Sequence, residues 1–454
     1  VWMGMARIGG GVPRCSQPGW LAGLLLLGMG LAALPGGYET EALLADLSAL
    51  PALLLAAGVF FAGMVGVVVS FGGAWGRRET GWFLFGAVAF AFLFACAISG
   101  LRGGFEGISQ AFARTQLEFT GDIGVAGSFR DLFARYGEIQ PYLSLHGRVH
   151  PPGPIVMLWS ASLLLGQEPL ALSLATAAFG ALAVVPLYCW AREIASAETA
   201  RFACVLYALM PSVVIFTATS ADALFPPVTL TTLWLFDRAI RRNEARSALA
   251  AGVGFGLMSL LKYSLLSLGA YFAFVGLWRL WKRETRGNVF QTAAVMVAGL
   301  CAVHYAVWQW SGFNVFDSFR IAKSYVDHDQ YYELSLAPRV NLWWWKFFNP
   351  ACWFWYAGIP VSVLCLARWW RPAPETRARF LIFLLTVAVL SLMYLGRGEG
   401  ERSALYVFPF LAVIAGDRLA AYCREAGSLG PLLVTLGVLA FQCWLTEVVL
   451  YTYW

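Results

Sequence analysis

The sequence predicts an all-α polytopic membrane protein. Apolar residues make up 59% of the 454-residue chain and charged residues only 13%, where soluble domains carry about 25% charged residues. The mean hydropathy is +0.66. The apolar stretches are continuous and not alternating, which selects helices over a transmembrane barrel. The twenty Trp and seventeen Tyr suit belts at the membrane–water interfaces. The nine cysteines show no CxxC spacing and lie mostly in apolar runs, so neither a disulfide framework nor a zinc site is expected. A net charge of +6 carries no nucleic-acid signal in such a chain. The partition of Lys and Arg among loops is informative instead.

Taken in order, stretches of spanning length lie near 20–34, 51–71, 82–100, 170–191, 203–219, 222–238, 247–262, 264–281, 289–310, 351–368, 379–395, 403–420 and 430–450. This predicts about 13 transmembrane helices. The first run follows Arg7 and Arg14 and is not followed by a small-x-small cleavage site, so it reads as an uncleaved anchor. The run 151–165 opens with Pro-Pro-Gly-Pro and is short of the roughly 20 residues that a span needs. If it crossed, the basic clusters at 238–246, 279–286 and 368–379 would all face outward, against the positive-inside rule. It is therefore expected to be a surface-lying or re-entrant helix. The N-terminus is then cytoplasmic, and one domain spans 1–454. It comprises N-terminal helices (1–100), a first exterior loop (101–169), core helices (170–310), a second exterior loop (311–350) and C-terminal helices (351–454).

Polar chemistry collects in the two long loops, on one side of the membrane. Loops of that length are uncommon unless they serve a function. In the first, Phe129, Leu132, Phe133 and Tyr136 share one face of an amphipathic segment, as in interfacial helices. Charges at the same membrane side add to them. Asp222 lies in the turn "TSADALFPP", Lys262 ends a span in "LLKYS", and Arg397, Glu399, Glu401 and Arg402 fill "GRGEGERSAL". Charges at membrane depth pair or line a cavity.

The order and spacing of "EFTGDIG", "HPPGP", "SADALFPPVTLTTLWLFDRAI", "GVGFGLMSLLKYSLLSLGAYF" and "GEGERSALYVFPFLA" resemble the GT-C glycosyltransferases, in the branch of protein O-mannosyltransferases and lipid A aminoarabinose transferases. The likeness is best over roughly 101–290. It implies a polyprenyl-phosphate-linked sugar donor at the exterior face. The acceptor would be a hydroxyl of a cell-envelope glycan, lipid or protein, glycosylated with inversion. The chain departs from the family's pattern in three ways: three helices precede the first loop, the acidic site is Gly-Asp and not Asp-Glu, and Ala221 replaces the proline of a Pro-Asp-Ala turn.

The resemblance makes Asp122 the candidate general base, since an attacking hydroxyl must lose a proton; the plain alternative is a loop-capping Asp. Glu118, four residues earlier, would share a helix face with Asp122 or be an ordinary solvated charge. Lys262 and Arg402, with Arg397 behind them, are candidates to hold the donor phosphate, whose negative charge grows as it leaves. Their alternative is snorkelling to lipid head groups. Glu399 and Glu401 would orient these cations, bind sugar hydroxyls or simply be turn charges. His150 introduces the HPP turn and either touches substrate or fixes that turn. His146, four residues earlier, leaves open a divalent metal site with His150 and Asp122, though no third close ligand is evident. Asp222 faces the cavity or caps the following helix. Asp327, His328 and Asp329 read as a solvated loop run, and His304 as a packed histidine with a hydrogen bond. The expected protein is an enzyme of the plasma (inner) membrane with an exterior, periplasmic active site, no certain cofactor, and lipid partners rather than nucleic acid. The alternative is a transporter or flippase of lipid-linked saccharides, for which midplane charges and inverted repeats would be expected.

Overall fold

The computed structural model describes residues 50–72, 77–282, 286–327, 342–369, 374–392, 402 and 405–449. The anchor run 20–34 lies outside them. No strand occurs among the described residues. Helices α1 (Leu50–Gly72) and α2 (Arg77–Ser99) form an antiparallel pair. The region 101–169 is not irregular. It folds into α3 (Phe105–Ala113), a 3-10 turn at Phe119–Asp122, α4 (Phe129–Ala134), α5 (Tyr136–Ile139), α6 (Leu145–Val149) and α7 (Gly153–Leu165). The expected apolar face of the interfacial segment is turned inward: Leu132, Phe133 and Tyr136 are buried, and Phe129 packs on Trp159.

The core follows as α8 (Pro169–Ala181), α9 (Val184–Ile194), α10 (Ala197–Tyr207), α11 (Pro211–Thr219), α12 (Phe225–Arg242), α13 (Ala245–Leu261), α14 (Gly269–Trp281) and α15 (Arg286–Ser311). Next come α16 (Val315–Asp327), α17 (Leu342–Tyr356), α18 (Ile359–Trp369), α19 (Pro374–Leu392), α20 (Phe408–Ala426) and α21 (Gly430–Val449). Among the described residues six helices are long and apolar enough to cross a membrane, or seven if the pair α10 and α11, bent by 57° at Ala208–Met210, counts as one. An integral membrane protein is thereby established, while the figure of thirteen spans is not. Helix α12 matches an expected span but carries Asp237, Arg238, Arg241 and Arg242 in its last turns, and α13 has only 17 residues.

Helix α7 has 13 residues, fewer than the roughly 20 that a span needs. Its first turn presses on the end of α13, where a Cβ on Gly153 would overlap the carbonyl oxygen of Leu260. Helix α8 runs back to the same level: a Cβ at Gly180 would lie 2.9 Å from that of Ala223, in the turn between α11 and α12. The two helices pack on each other as an arm about 20 Å long, at 1.5 Å rise per residue. Leu163, Leu164 and Leu165 are exposed at its tip.

The far ends of the core helices carry the solvated charge. Arg242 pairs with Glu193 at 2.6 Å, Arg238 with Glu244 at 2.7 Å, and Arg424 with Glu198. Just inside them Asp237 is buried and accepts hydrogen bonds from Trp190 Nε1 and Tyr271 Oη, each at 2.7 Å. The opposite ends, where α11 meets α12 and where α13 stops, carry the candidate site.

Candidate active site

The first wall of the site is made by residues 116–150. Leu145 and His146 donate their backbone N–H groups to the carbonyls of Gln116 and Leu117, at 3.1 and 3.0 Å. This pairing holds Glu118 extended (φ −95°, ψ 155°), so Glu118 and Asp122 do not share a helical face as the spacing suggests. Glu118 instead precedes the 3-10 turn that ends at Asp122. Ser144 caps α6 by accepting from the Gly147 N–H at 3.1 Å, and it donates to Asp122 twice: backbone N–H to Oδ1 at 2.8 Å and Oγ–H to Oδ2 at 2.6 Å. Asp122 Oδ2 lies so close over Gly147 that a Cβ there would overlap it. Tyr136 Oη lies 3.0 and 2.9 Å from the carbonyl oxygens of Gly147 and His150, which share its single proton, fixing the start of the HPP turn.

A chain of buried charges runs on from this wall. Glu118 Oε2 is 3.2 Å from His146 Nδ1 and its Oε1 is 3.7 Å from Arg402 Nη1. Arg402 Nη2 donates to His146 Nε2 at 3.1 Å. A guanidinium has no acceptor, so the ring proton of His146 is on Nδ1, aimed at Glu118. Arg402 Nε is 3.4 Å from Asp222 Oδ2, and Lys262 Nζ is 2.6 Å from Asp222 Oδ1. Lys262 also lies 5.2 Å from the centre of the Phe225 ring. Glu118, Asp122, Asp222, Lys262 and Arg402 are all at least nine-tenths buried. The backbone explains the convergence. Helix α11 ends at Thr219, and the hydroxyl of the next residue, Ser220, caps the short turn Ala221–Leu224 and leaves the Asp222 carboxylate pointing inward. Helix α13 ends at Leu261, and the next residue, Lys262, is extended (φ −159°, ψ 128°) and precedes a 3-10 stretch, Tyr263–Leu268.

Burial opposes ionisation of Asp222, but Lys262 and Arg402 outweigh it and hold its carboxyl at about 2. Burial pushes Asp122 the other way, above the usual carboxylate range, and the two bonds from Ser144 offset only part of this. Burial and the nearby Lys262 and His146 keep His150 neutral, with its value lowered to about 3. Its Nδ1 donates to the His146 carbonyl at 3.0 Å, which leaves Nε2 as an acceptor.

The structure therefore brings Glu118, His146, Asp222, Lys262 and Arg402 into one cluster, with Asp122 and His150 adjoining it. Lys262 and Arg402 do not snorkel, and Asp222 does not cap a helix with its side chain. Arg397, Glu399 and Glu401 lie outside the described residues, as do His328 and Asp329; Asp327 closes α16. His304 is partly buried and meets Ser259 Oγ at 2.9 Å. His146, His150 and Asp122 were weighed as metal ligands; no three His, Cys, Asp or Glu side chains among the described residues converge as a metal site.

Sequence reasoning passed over a polar latch beside this cluster. Gln140 is fully buried. Its Nε2 donates to the carbonyls of Arg148 and Ser318, at 2.9 and 3.2 Å. Its Oε1 accepts from Ser318 Oγ at 3.0 Å, and Ser318 Oγ meets Tyr263 Oη at 2.6 Å. The latch ties α16, from the second loop, to the HPP turn and to the residue after Lys262. Ser144 was also overlooked, although a Ser three residues before Gly147 is an N-cap signal.

Over residues 149–310 the sequence matches the family described as dolichyl-phosphate-mannose-protein mannosyltransferase. The matched stretch contains His150, Asp222 and Lys262. A crystal structure of the oligosaccharyltransferase of Archaeoglobus fulgidus, in complex with Zn and sulfate, has the same fold with a TM-score of 0.50 at 14% identity. That alignment covers 80% of this chain and 53% of the other. The apo form of the same oligosaccharyltransferase aligns with a TM-score of 0.46 at 11% identity, over 81% of this chain and 56% of the other. The chain thus spans about half the length of these structures. No curated protein has a sequence that matches it.

Proposed function

We propose that the protein is a glycosyltransferase that moves a sugar from a polyprenyl-phosphate donor to a hydroxyl acceptor at the exterior face of the plasma membrane, periplasmic in a Gram-negative cell. The observation that carries this reading is the buried cluster in which Lys262 and Arg402 converge on Asp222, with His146 linking Arg402 to the wall that holds the buried carboxyl of Asp122. The acceptor oxygen attacks the anomeric carbon and gives its proton to Asp122. The bond from that carbon to the phosphate oxygen breaks, and the electron pair leaves with the lipid phosphate. Lys262 as a point charge and Arg402 as a fork stabilise that growing charge in a water-poor site. Asp122 suits the base role because burial raises its proton affinity, and the bonds from Ser144 and the nearby charges of Arg148 and His146 offset this only in part. Glu118 and His146 position Arg402. Displacement from the face opposite the phosphate inverts the anomeric centre. The acceptor is a glycan, lipid or protein of the cell envelope.

Purified protein incubated with polyprenyl-phosphate sugars and a membrane acceptor extract should release polyprenyl phosphate. Absence of release across hexose and pentose donors would count against the proposal. Movement of intact donor across a vesicle bilayer, with no cleavage, would favour a flippase.

A further inference from the structure

Lys262 and Arg402 already hold an anion. Asp222 bridges them, with Oδ1 2.6 Å from Lys262 Nζ and Oδ2 3.4 Å from Arg402 Nε. Glu118 stands 3.7 Å from the other side of the guanidinium. Among the described residues two buried cations thus face two buried carboxylates, and these formal charges cancel. A phosphate brought to the same cations would make three anions on two cations. Leaving a buried charge without compensation is strongly unfavourable, so a carboxylate has to give way.

The geometry selects Asp222. Glu118 is held at two points, by His146 and Arg402, in a segment whose neighbouring carbonyls are paired with residues 145 and 146. Asp222 touches both cations, and its only other side-chain bond among those described is a long one of 3.5 Å from Ser220 Oγ. We propose that Asp222 is a resident stand-in for the donor phosphate. It holds Lys262 and Arg402 in register when no lipid anion is bound. It yields them when the donor phosphate arrives, and it competes again once polyprenyl phosphate is left behind, promoting product release. Asp222 is then a positioning residue that sets donor affinity and product exit and does not touch the reacting carbon. The inference rests on the reading of Lys262 and Arg402 as the phosphate holders.

The test uses full-length protein in detergent micelles and a short-chain polyprenyl phosphate as probe, with binding measured calorimetrically. Asp222→Asn keeps the shape and one acceptor for Lys262 but removes the charge. It should bind the probe at least about tenfold more tightly, the factor that 1.4 kcal/mol represents, and turn over more slowly with KM and kcat falling together. Asp222→Ser should shift binding in the same direction. Weaker or unchanged binding in either folded variant would overturn the proposal, because Asp222 would then be only a structural counter-ion. Failure of both variants to fold would overturn it too, since a carboxylate that leaves its partners in each cycle is not needed to hold the fold. Lys262→Ala tests the underlying reading separately. If it binds the probe as the wild type does, the phosphate site lies elsewhere, whatever Asp222→Asn does.

Discussion

Asp122→Asn separates a general base from a loop staple. Asp122 accepts from Ser144 N–H and Oγ–H at 2.8 and 2.6 Å. In the variant the amide oxygen can keep the backbone bond. The amide nitrogen then faces an Oγ–H that had been donating, and the hydroxyl must turn while still accepting from Gly147. One bond to a charged acceptor is lost and a neutral one partly replaces it, for a net cost of about 1–2 kcal/mol. Ser144→Ala removes the same hydroxyl bond together with the α6 cap, at a cost of about 1 kcal/mol, and leaves the carboxylate in place. The two variants should therefore unfold at similar temperatures, followed by tryptophan fluorescence in detergent. Their activities should differ widely. Loss of a general base lowers the rate by about 10²- to 10⁴-fold, whereas Ser144→Ala should lose no more than about tenfold, as a misaligned carboxylate would. The assay is release of polyprenyl phosphate under single-turnover conditions. Equal rates in the two variants would refute the base assignment and leave Asp122 as the anchor of α6.

Three further outcomes follow from the geometry. Gly147→Ala places a methyl group against Asp122 Oδ2 and 2.8 Å from Leu143 Cβ; transfer should fall by at least about tenfold in protein that still elutes as a folded species on size-exclusion chromatography. Ser318→Ala removes the hydroxyl shared by Gln140 and Tyr263, costing about 1–3 kcal/mol, and should raise amide hydrogen exchange in α16 more than in α12; uniform exchange across both helices would dismiss the latch. His150 is held at about 3 in the folded protein against an ordinary value of 6.5. The unfolded chain binds the proton more readily between these values. The stability associated with His150 is therefore complete above about pH 6.5 and declines toward pH 3, by up to about 1.4 kcal/mol per pH unit. His150→Asn should flatten the fall in melting temperature across that window, and an unchanged acid slope would exclude His150 as its source.

Much of the site was legible because the membrane makes charge conspicuous. Asp222, Lys262 and Arg402 stand out in apolar surroundings. Their mutual pairing was not legible, because Arg402 and Glu118 meet across 284 positions of sequence and nothing local specifies a tertiary ion pair. The relation of Glu118 to Asp122 was misjudged because a spacing of four implies a shared face only on an α-helix. Backbone pairing with residues 145 and 146 excludes that helix here. Gln140 and Ser318 were invisible for a related reason: neutral polar residues in loops normally face water, and only the packing of α16 on the first loop buries them. The count of spans is legible only in part, since α12 mixes a buried face with terminal arginines and hydropathy alone does not classify it.

The arm formed by α7 and α8 separates two kinds of freedom in the chain. Its base is pinned at Gly153 and Gly180, against residues adjoining Lys262 and Asp222, where backbones approach too closely to admit a side chain. Its tip, Leu163 to Glu168, touches none of the charged cluster. Behind the tip α8 packs against α2, α3 and α11, with Leu172, Ser173 and Thr176 buried, so the freedom is confined to the exposed turn itself. Sequence drift is therefore tolerated at the exposed leucines of the tip and opposed at the two glycines of the base, where any side chain would push apart the elements that carry Lys262 and Asp222.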